Sequence, residues 1–145
     1  MTDSTPQALR ETRDGFLELD ERSRLEFLLE FANDLPALPA HYAEHEEELE
    51  RVEECQSPVF IIVDVDNDVV TVHATAPLEA PTTRGFASIL VHGLTGLSSH
   101  AVLECPEDFP LTLGLTKIVS PLRLRGLSGM LWRIKRQVAE KSATS

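Results

Sequence analysis

The sequence is poor in the features that mark several classes of protein. Among its 145 residues, 2 are cysteines and only 6% are aromatic. Two cysteines do not make a disulfide framework, and the N-terminus lacks the basic and apolar regions of a signal peptide, so we expect a protein of the reducing cytoplasm. No apolar run approaches the roughly 18 residues of a membrane-spanning helix. With few aromatic residues, the core should be mainly aliphatic.

Basic side chains are also scarce. The chain has 13 Lys and Arg against 24 Asp and Glu, a net charge of −11. This balance argues against binding to nucleic acid or to an anionic membrane surface, because both need a basic footprint. The charge is polarised, since residues 1–54 carry 5 basic and 16 acidic side chains and residues 120–145 carry 6 and 1. We favour internal pairing of a basic C-terminal helix with acidic neighbours over selection of a charged partner.

Hydrophobic spacing of 3 to 4 residues predicts helices in the first and last thirds of the chain. Their predicted starts, each a capping residue or a proline, are Pro6, Asp20, Pro81 and Ser120-Pro121. The acidic residues 40–54 predict a short exposed helix or a solvated loop. In the last helix, Leu127 and Ile134 should face inward with Met130, whereas Arg133 should face outward together with the other basic residues.

Between the helices, β-branched runs predict a hairpin. Val59–Val65 and Val69–Val72 flank the turn residues Asp66-Asn67-Asp68. Two strands alone are marginal in water, so we expect a third strand from Thr75 to Ala80. The prediction is one α+β domain over residues 1–145, flexible at 1–5 and 142–145. It has two layers, with a small antiparallel sheet of about three strands packed against helices, in the order helices–strands–helices.

Cys55 is the strongest candidate for chemistry, because it lies where the acidic segment meets the first strand. A free cysteine is often a buried small hydrophobe, so a packing role and a role as nucleophile or sulfur carrier both stay open. The carboxylates of Glu53 and Glu54 should raise the pKa of this thiol and make it sluggish. Cys105, at the end of a short helix, is expected to be a packed thiol, and the lack of a Cys-x-x-Cys motif excludes a thioredoxin-like dithiol.

Other polar residues give weaker signals. His41 and His45 have the i, i+4 spacing of a metal pair, but their glutamate-rich setting predicts a solvated face, so we predict no metal site. Arg123 and Arg125 open the last helix, where cations oppose the helix dipole. They should therefore pair with an acidic loop of the chain or with an anionic group on a partner, and the residues alone do not decide between these two interpretations.

Five short segments occur in an order and spacing that resemble the SufE family, the sulfur acceptors of iron–sulfur cluster assembly. The resemblance covers the chain from about Leu25 to Lys135. The segments are Leu35-Pro36-Ala37-Leu38-Pro39, Cys55-Gln56-Ser57-Pro58-Val59-Phe60, Arg84-Gly85, Leu113-Gly114-Leu115 and Ser120-Pro121-x-Arg123-x-x-Gly126-Leu127.

This resemblance implies a function and a set of partners. SufE proteins take sulfane sulfur from the persulfide of a pyridoxal-phosphate cysteine desulfurase of the SufS type, hold it as a cysteine persulfide and pass it to the Suf scaffold complex. It implies that Cys55 is the acceptor and that this chain, a monomer or weak homodimer, needs no cofactor of its own, since the pyridoxal phosphate belongs to the desulfurase. The residues expected at the partner contact are Arg123, Glu79, Gln56, Ser57 and Arg84.

The chain departs from the family pattern at three places. Glu54 stands where glycine usually precedes the cysteine, Ala74–Glu79 lacks the usual Gly-Asp-Ser-Asp end, and Phe60 stands where many members have tryptophan. Two alternatives to sulfur transfer remain. One is a cysteine-dependent enzyme with its own small-molecule substrate, and the other is a pure interaction module in which Cys55 only packs.

Overall fold

Helices precede and follow a small antiparallel sheet, in the order predicted from the sequence. The structure is a computed structural model that describes residues 3–144. Its α-helices are α1 (Gln7–Glu18), α2 (Glu21–Asn33), α3 (Ala40–Glu44), α4 (Pro81–Leu94), α5 (Ser99–Leu103) and α6 (Pro121–Thr144). Its strands are β1 (Glu50–Arg51), β2 (Phe60–Asp66) and β3 (Val69–Thr75), and short 3₁₀-helices span Glu46–Glu48 and Phe109–Thr112.

The predicted hairpin is the centre of the sheet. Strands β2 and β3 pair along their whole length, with Asp66 opposite Val69 beside the turn. The two turn residues, Asn67 and Asp68, have φ of 51° and 60°. Positive φ at both positions defines a type I′ turn, whose twist matches that of the strands, and Asn and Asp tolerate it better than other non-glycine residues.

The third strand is not where the sequence predicted it. Thr75 ends β3, and residues 76–80 form a loop in which the amide of Ala80 donates to the carbonyl of Pro77 at 3.1 Å. The third strand is instead β1, antiparallel to β2 and inside the acidic segment expected to be solvated. A two-residue strand has no hydrophobic period to recognise, and Pro77 has no amide to donate to a ladder.

The core lies between the sheet and the helices. Helices α4 and α6 pack against β3 and β2 and against each other, while α1 and α2 pack on α4. The side chains that alternate inward on the hairpin are buried, and they are Ile61, Val63, Val70, Val72 and Ala74. As predicted, the core is mainly aliphatic, with Phe16, Phe86 and Phe109 as its large fully buried aromatic residues.

Helical structure and buried contacts reach into both end segments that the sequence predicted to be flexible. Thr5 is buried and its amide donates to Asp3 Oδ1 at 3.0 Å, and α6 continues through Ser142 to Thr144. Residues 1, 2 and 145, also predicted to be flexible, lie outside the described residues. From Asp3 to Thr144, no helix combines the length and the apolar character needed to cross a bilayer.

Helices α2 and α4 approach closely at Gly85. A Cβ at this position would lie 2.6 Å from the backbone oxygen of Leu28. Gly85→Ala should therefore lower the free energy of unfolding by about 1–3 kcal/mol, because the helices must separate. The measurement is urea unfolding followed by circular dichroism. Gly15→Ala in α1 is the control, since its Cβ meets only the ring of Phe27 at 3.2 Å. Equal stability of the two variants would contradict this reading.

Candidate functional site

A cavity of about 260 Å³ lies where the loop after β1 meets the first turns of α4 and α6. The structure brings five of the six residues singled out from the sequence to its walls, namely Cys55, Gln56, Ser57, Glu79 and Arg123. These residues are separated by up to half of the chain. Their convergence therefore results from packing α4 and α6 side by side against the sheet.

The loop from Val52 to Val59 positions Cys55. The amide of Val52 donates to the carbonyl of Val59 at 2.9 Å, and the amide of Cys55 donates to the carbonyl of Val52 at 3.1 Å. Cys55 is only 6% exposed. A Cβ at Gly126 of α6 would lie 2.8 Å from its Sγ, so the thiol rests on a stretch of helix backbone that only glycine leaves open.

The surroundings of Cys55 disfavour its thiolate. Burial is the main cause that raises the pKa of Cys55 to about 11, and the carboxylate of Glu54 adds to it. The guanidinium groups of Arg133 and Arg51 lower this pKa, but by less. The predicted effect of Glu54 is thus confirmed. Glu53 is exposed, and its effect on this pKa stays a prediction.

Alkylation of Cys55 by iodoacetamide should therefore be slow at neutral pH. Because the thiolate is the reactive form, a raised pKa leaves less of it at pH 8. The rate should still be rising beyond the roughly 8.5 of an ordinary cysteine, towards pH 11. The measurement is the rate against pH, with each cysteine mapped by peptide mass. Rapid alkylation with a midpoint below that of an ordinary thiol would show a pre-activated nucleophile.

The sequence predicted that Arg133 faces outward, but the structure buries it. It is 8% exposed, and its Nη1 donates to Glu54 Oε1 at 2.5 Å. Its Nε lies 3.3 Å from Glu50 Oε2, and Arg136 also pairs with Glu50. The helix periodicity was right about the apolar face, but the acidic residues of β1 and its loop dock beside the basic face and cover it. This confirms the internal pairing of charge that the polarised sequence favoured.

Arg123 and Glu79 line the cavity, and the charged group of neither pairs with an opposite charge in the described part of the chain. Both residues are exposed, and neither takes part in an ion pair among residues 3–144. The amide of Arg123 donates to the Ser120 side chain at 3.3 Å, so this end of α6 is capped as predicted. The N-cap of α4 is Ala80, which offers no side-chain acceptor. The cavity wall therefore carries Arg123 and the positive ends of both helix dipoles.

Arg84 is the predicted partner-contact residue that the structure does not bring to the cavity. Its Nε donates to the carbonyl of Ala32 at 2.9 Å, and its Nη1 donates to the carbonyl of Ala76 at 2.7 Å. These bonds tie α4 to the end of α2 and to the loop after β3. The structure thus gives Arg84 a role within the fold.

The remaining candidates lie apart from the cavity. Cys105 is free and 1% exposed, and its carbonyl accepts from Lys135 Nζ at 2.6 Å. His45, Glu47 and Glu48 have possible ligand atoms within 4.8 Å of one another, but all three are exposed. His41 pairs with Glu48 at 2.9 Å on the same surface. This surface is the solvated face that the sequence predicted.

The sequence analysis placed Gly126 in the last family segment without giving it a role, and it missed Gly129; the loop rests on both. Gly126 lies under Cys55, and Gly129 lies under Glu54, where a Cβ would be 2.5 Å from Oε1. The available signal was the presence of two glycines three residues apart inside a strong helical pattern. Glycine is unfavourable there unless something packs closely against the backbone.

Comparisons with known proteins agree with the resemblance found in the sequence. The family model described as "SufE: Fe-S metabolism associated domain" matches residues 10–138. An uncharacterized SufE-like protein of Mycobacterium tuberculosis is 53% identical over 138 residues, which are 94% of this chain and 95% of that protein. SufE-like protein 1, chloroplastic/mitochondrial, of Arabidopsis thaliana is 31% identical over 127 residues, covering 87% of this chain and 33% of that protein.

A solved structure confirms the fold class. The solution structure of a hypothetical protein from Thermus thermophilus matches with a TM-score of 0.85 at 40% identity, and the match covers 96% of this chain and 98% of that one. The predicted α+β arrangement, with a three-stranded antiparallel sheet packed against helices, is therefore correct.

Proposed function

The chain belongs to the SufE family, and from that membership we propose that it carries sulfur for iron–sulfur cluster assembly on Cys55. The family description and the SufE-like relatives support a role in iron–sulfur metabolism. In this proposal a SufS-type cysteine desulfurase supplies the sulfur and is stimulated by the protein, and a thiol of the Suf scaffold complex receives it. The pyridoxal phosphate stays with the desulfurase.

The observation that carries the proposal is the position of Cys55 in the cavity. The thiol lies beside Gln56 and Ser57 of its motif, and Arg123 and Glu79 project from the surrounding walls. A thiolate or persulfide anion placed here shares the cavity wall with the guanidinium of Arg123 and two helix N-termini, which favour negative charge, and with the carboxylates of Glu54 and Glu79, which oppose it. With the loop seated on α6, burial outweighs the arginines that lower the pKa of Cys55, so the thiol is stored in its neutral form. A neutral, covered thiol is slow to oxidise.

The proposed step is an exchange at the sulfane sulfur, analogous to thiol–disulfide exchange. The Cys55 thiolate attacks the outer sulfur of the desulfurase persulfide. A bond forms between Cys55 Sγ and that sulfur, the bond from it to the desulfurase cysteine breaks, and the desulfurase thiolate leaves. Cys55 loses one proton when its thiolate forms, and the leaving desulfurase thiolate gains one, so the protons balance. A scaffold thiolate then attacks the stored sulfur in the same way, without net oxidation or reduction.

Docking must expose Cys55 for this step. A side chain that is 6% exposed and rests on α6 presents little of its sulfur to a cysteine on another protein. The desulfurase must therefore bind the form with the loop lifted better than the closed form, because only differential affinity shifts such an equilibrium.

The test is the turnover of a cysteine desulfurase with and without this protein, measured as alanine formed from cysteine. We expect faster turnover and sulfur bound to this chain. Unchanged turnover with no bound sulfur would contradict the proposal. Turnover of a small-molecule substrate by this chain alone would favour the cysteine-dependent enzyme instead.

A further inference from the structure

We infer that Glu54 and Arg133 form a clamp that holds the Cys55 loop on helix α6, and that both are positioning residues for sulfur uptake. The inference rests on the proposed function, which makes exposure of Cys55 part of each transfer. It assigns a role to a buried arginine and an acidic residue beside the thiol, neither of which takes part in the exchange of sulfur.

The first support is the contact itself. Glu54 Oε1 accepts from Arg133 Nη1 at 2.5 Å, and the same Nη1 lies 3.2 Å from the carbonyl of Gly129. Gly129 provides the space, since a Cβ there would lie 2.5 Å from Glu54 Oε1. A carboxylate seated on a helix backbone and hydrogen-bonded to a buried guanidinium is a defined position. The glutamate therefore anchors the loop.

The second support is that the anchor and the thiol move together. Glu54 and Cys55 are consecutive, and they rest on Gly129 and Gly126, which are three residues apart on one face of α6. Lifting Glu54 off the helix therefore also withdraws Cys55 from its seat.

The third support is that the clamp can open without leaving a buried charge unpaired. Removing the only partner of a buried guanidinium is strongly unfavourable. Arg133, however, also faces Glu50 Oε2 at 3.3 Å, and Glu50 is fixed by its place in β1 and by Gln137 Nε2, which donates to it at 3.0 Å. The Glu54 side chain is 40% exposed, so water or a partner can reach it. Arg133 thus keeps a carboxylate while the loop is open.

The test measures opening of the loop separately from thiol chemistry. Amide hydrogen exchange of peptides containing residues 53–58 reports opening, because the Cys55 amide is bonded to Val52 in the closed form. Glu54→Ala should speed this exchange about fivefold, as expected for a partly exposed ion pair of about 1 kcal/mol. Glu53→Ala is the matched control, since it removes an adjacent exposed carboxylate that makes no ion pair among the described residues.

Gly129→Ala tests the same clamp with both charges retained. The added methyl group would displace the Glu54 carboxylate, and it should raise the exchange rate as Glu54→Ala does. Alanine is a better helix former than glycine, so the thermal midpoint should not fall. Unchanged exchange in Gly129→Ala, or equal acceleration in Glu53→Ala, would overturn the clamp.

The functional readout is sulfur uptake from a cysteine desulfurase supplied with cysteine. If opening is part of docking, both variants should lower the KM for this protein. Gly129→Ala, which keeps the Glu54 carboxylate, should also leave kcat unchanged, whereas Glu54→Ala additionally removes a charge that raises the pKa of Cys55. A purely structural defect would raise KM or lower kcat, and either result would overturn the positioning role. Absence of uptake by the natural chain would refute the proposed function, while the hydrogen-exchange result would still decide whether the clamp exists.

Discussion

Cys55→Ser should abolish the transfer of sulfur from a cysteine desulfurase to this protein. Serine keeps the size of the side chain, but its hydroxyl cannot hold sulfane sulfur in a persulfide. The measurement is peptide mass mapping after incubation with a desulfurase and cysteine, with added sulfur counted at each position. We expect the added mass on Cys55 of the natural chain and none on the variant.

Cys105→Ser is the matched control and should transfer sulfur normally. Cys105 is 1% exposed and lies in the hydrophobic core, and it does not line the cavity. Its pKa, like that of Cys55, is raised to about 11 by burial, so acidity does not separate the two thiols. Position separates them. Sulfur found on Cys105 and absent from Cys55 would contradict the assignment, and normal function of Cys55→Ser would favour the pure interaction module.

Arg123→Ala should raise the concentration of this protein that half-stimulates the desulfurase by about tenfold, which corresponds to about 1.4 kcal/mol. This is the scale of one hydrogen bond to a charged group. The guanidinium is exposed on the cavity wall and pairs with no carboxylate among residues 3–144, so it is available to an anionic group of a partner. The measurement is stimulated turnover against protein concentration, repeated at two salt concentrations.

Stability measurements separate a partner contact from a structural role. The thermal midpoint of Arg123→Ala should stay nearly unchanged, since most surface substitutions fall within about 0.5 kcal/mol. Arg125→Ala is a matched control, because this exposed arginine lies in the next groove along α6. Glu79→Ala tests the acidic side of the cavity in the same assay. A lower midpoint with unchanged stimulation would show that Arg123 supports the fold instead.

Much of the fold could be predicted because the local signals agree with the final packing. Asp20 caps α2 by accepting from the amide of Ser23 at 2.8 Å, and Ser120-Pro121 begins α6. At a helix start, a capping side chain accepts a hydrogen bond from a free backbone amide, and a proline has no amide that needs a partner. Both effects involve only neighbouring residues, so they can be predicted from the sequence. The hairpin turn at Asn67 and Asp68 is of the same local kind.

The third strand and the clamp could not be predicted, because both depend on residues far apart in the chain. Glu50 pairs with Ile61 only after the acidic segment folds back on β2. In the sequence, Arg133 looks like a solvent-exposed residue, because the residues that cover it, Glu50 and Glu54, are distant in the chain. Glu54 is 79 positions away from Arg133. Side-chain periodicity reports which face of a helix is apolar, but it does not report what later covers the polar face.

The sequence by itself determined the family, the order of the elements and the identity of the candidate sulfur carrier. These depend on short motifs, on periodicity and on caps, which act over a few residues. Only the tertiary structure decided that Cys55 is withdrawn from solvent, that Arg84 serves the fold and that Glu54 is anchored on α6. The physical reason is that burial and ion pairing depend on which distant surfaces meet. The close approach of the loop to Gly126 and Gly129 exists only when the helix and the sheet are packed together.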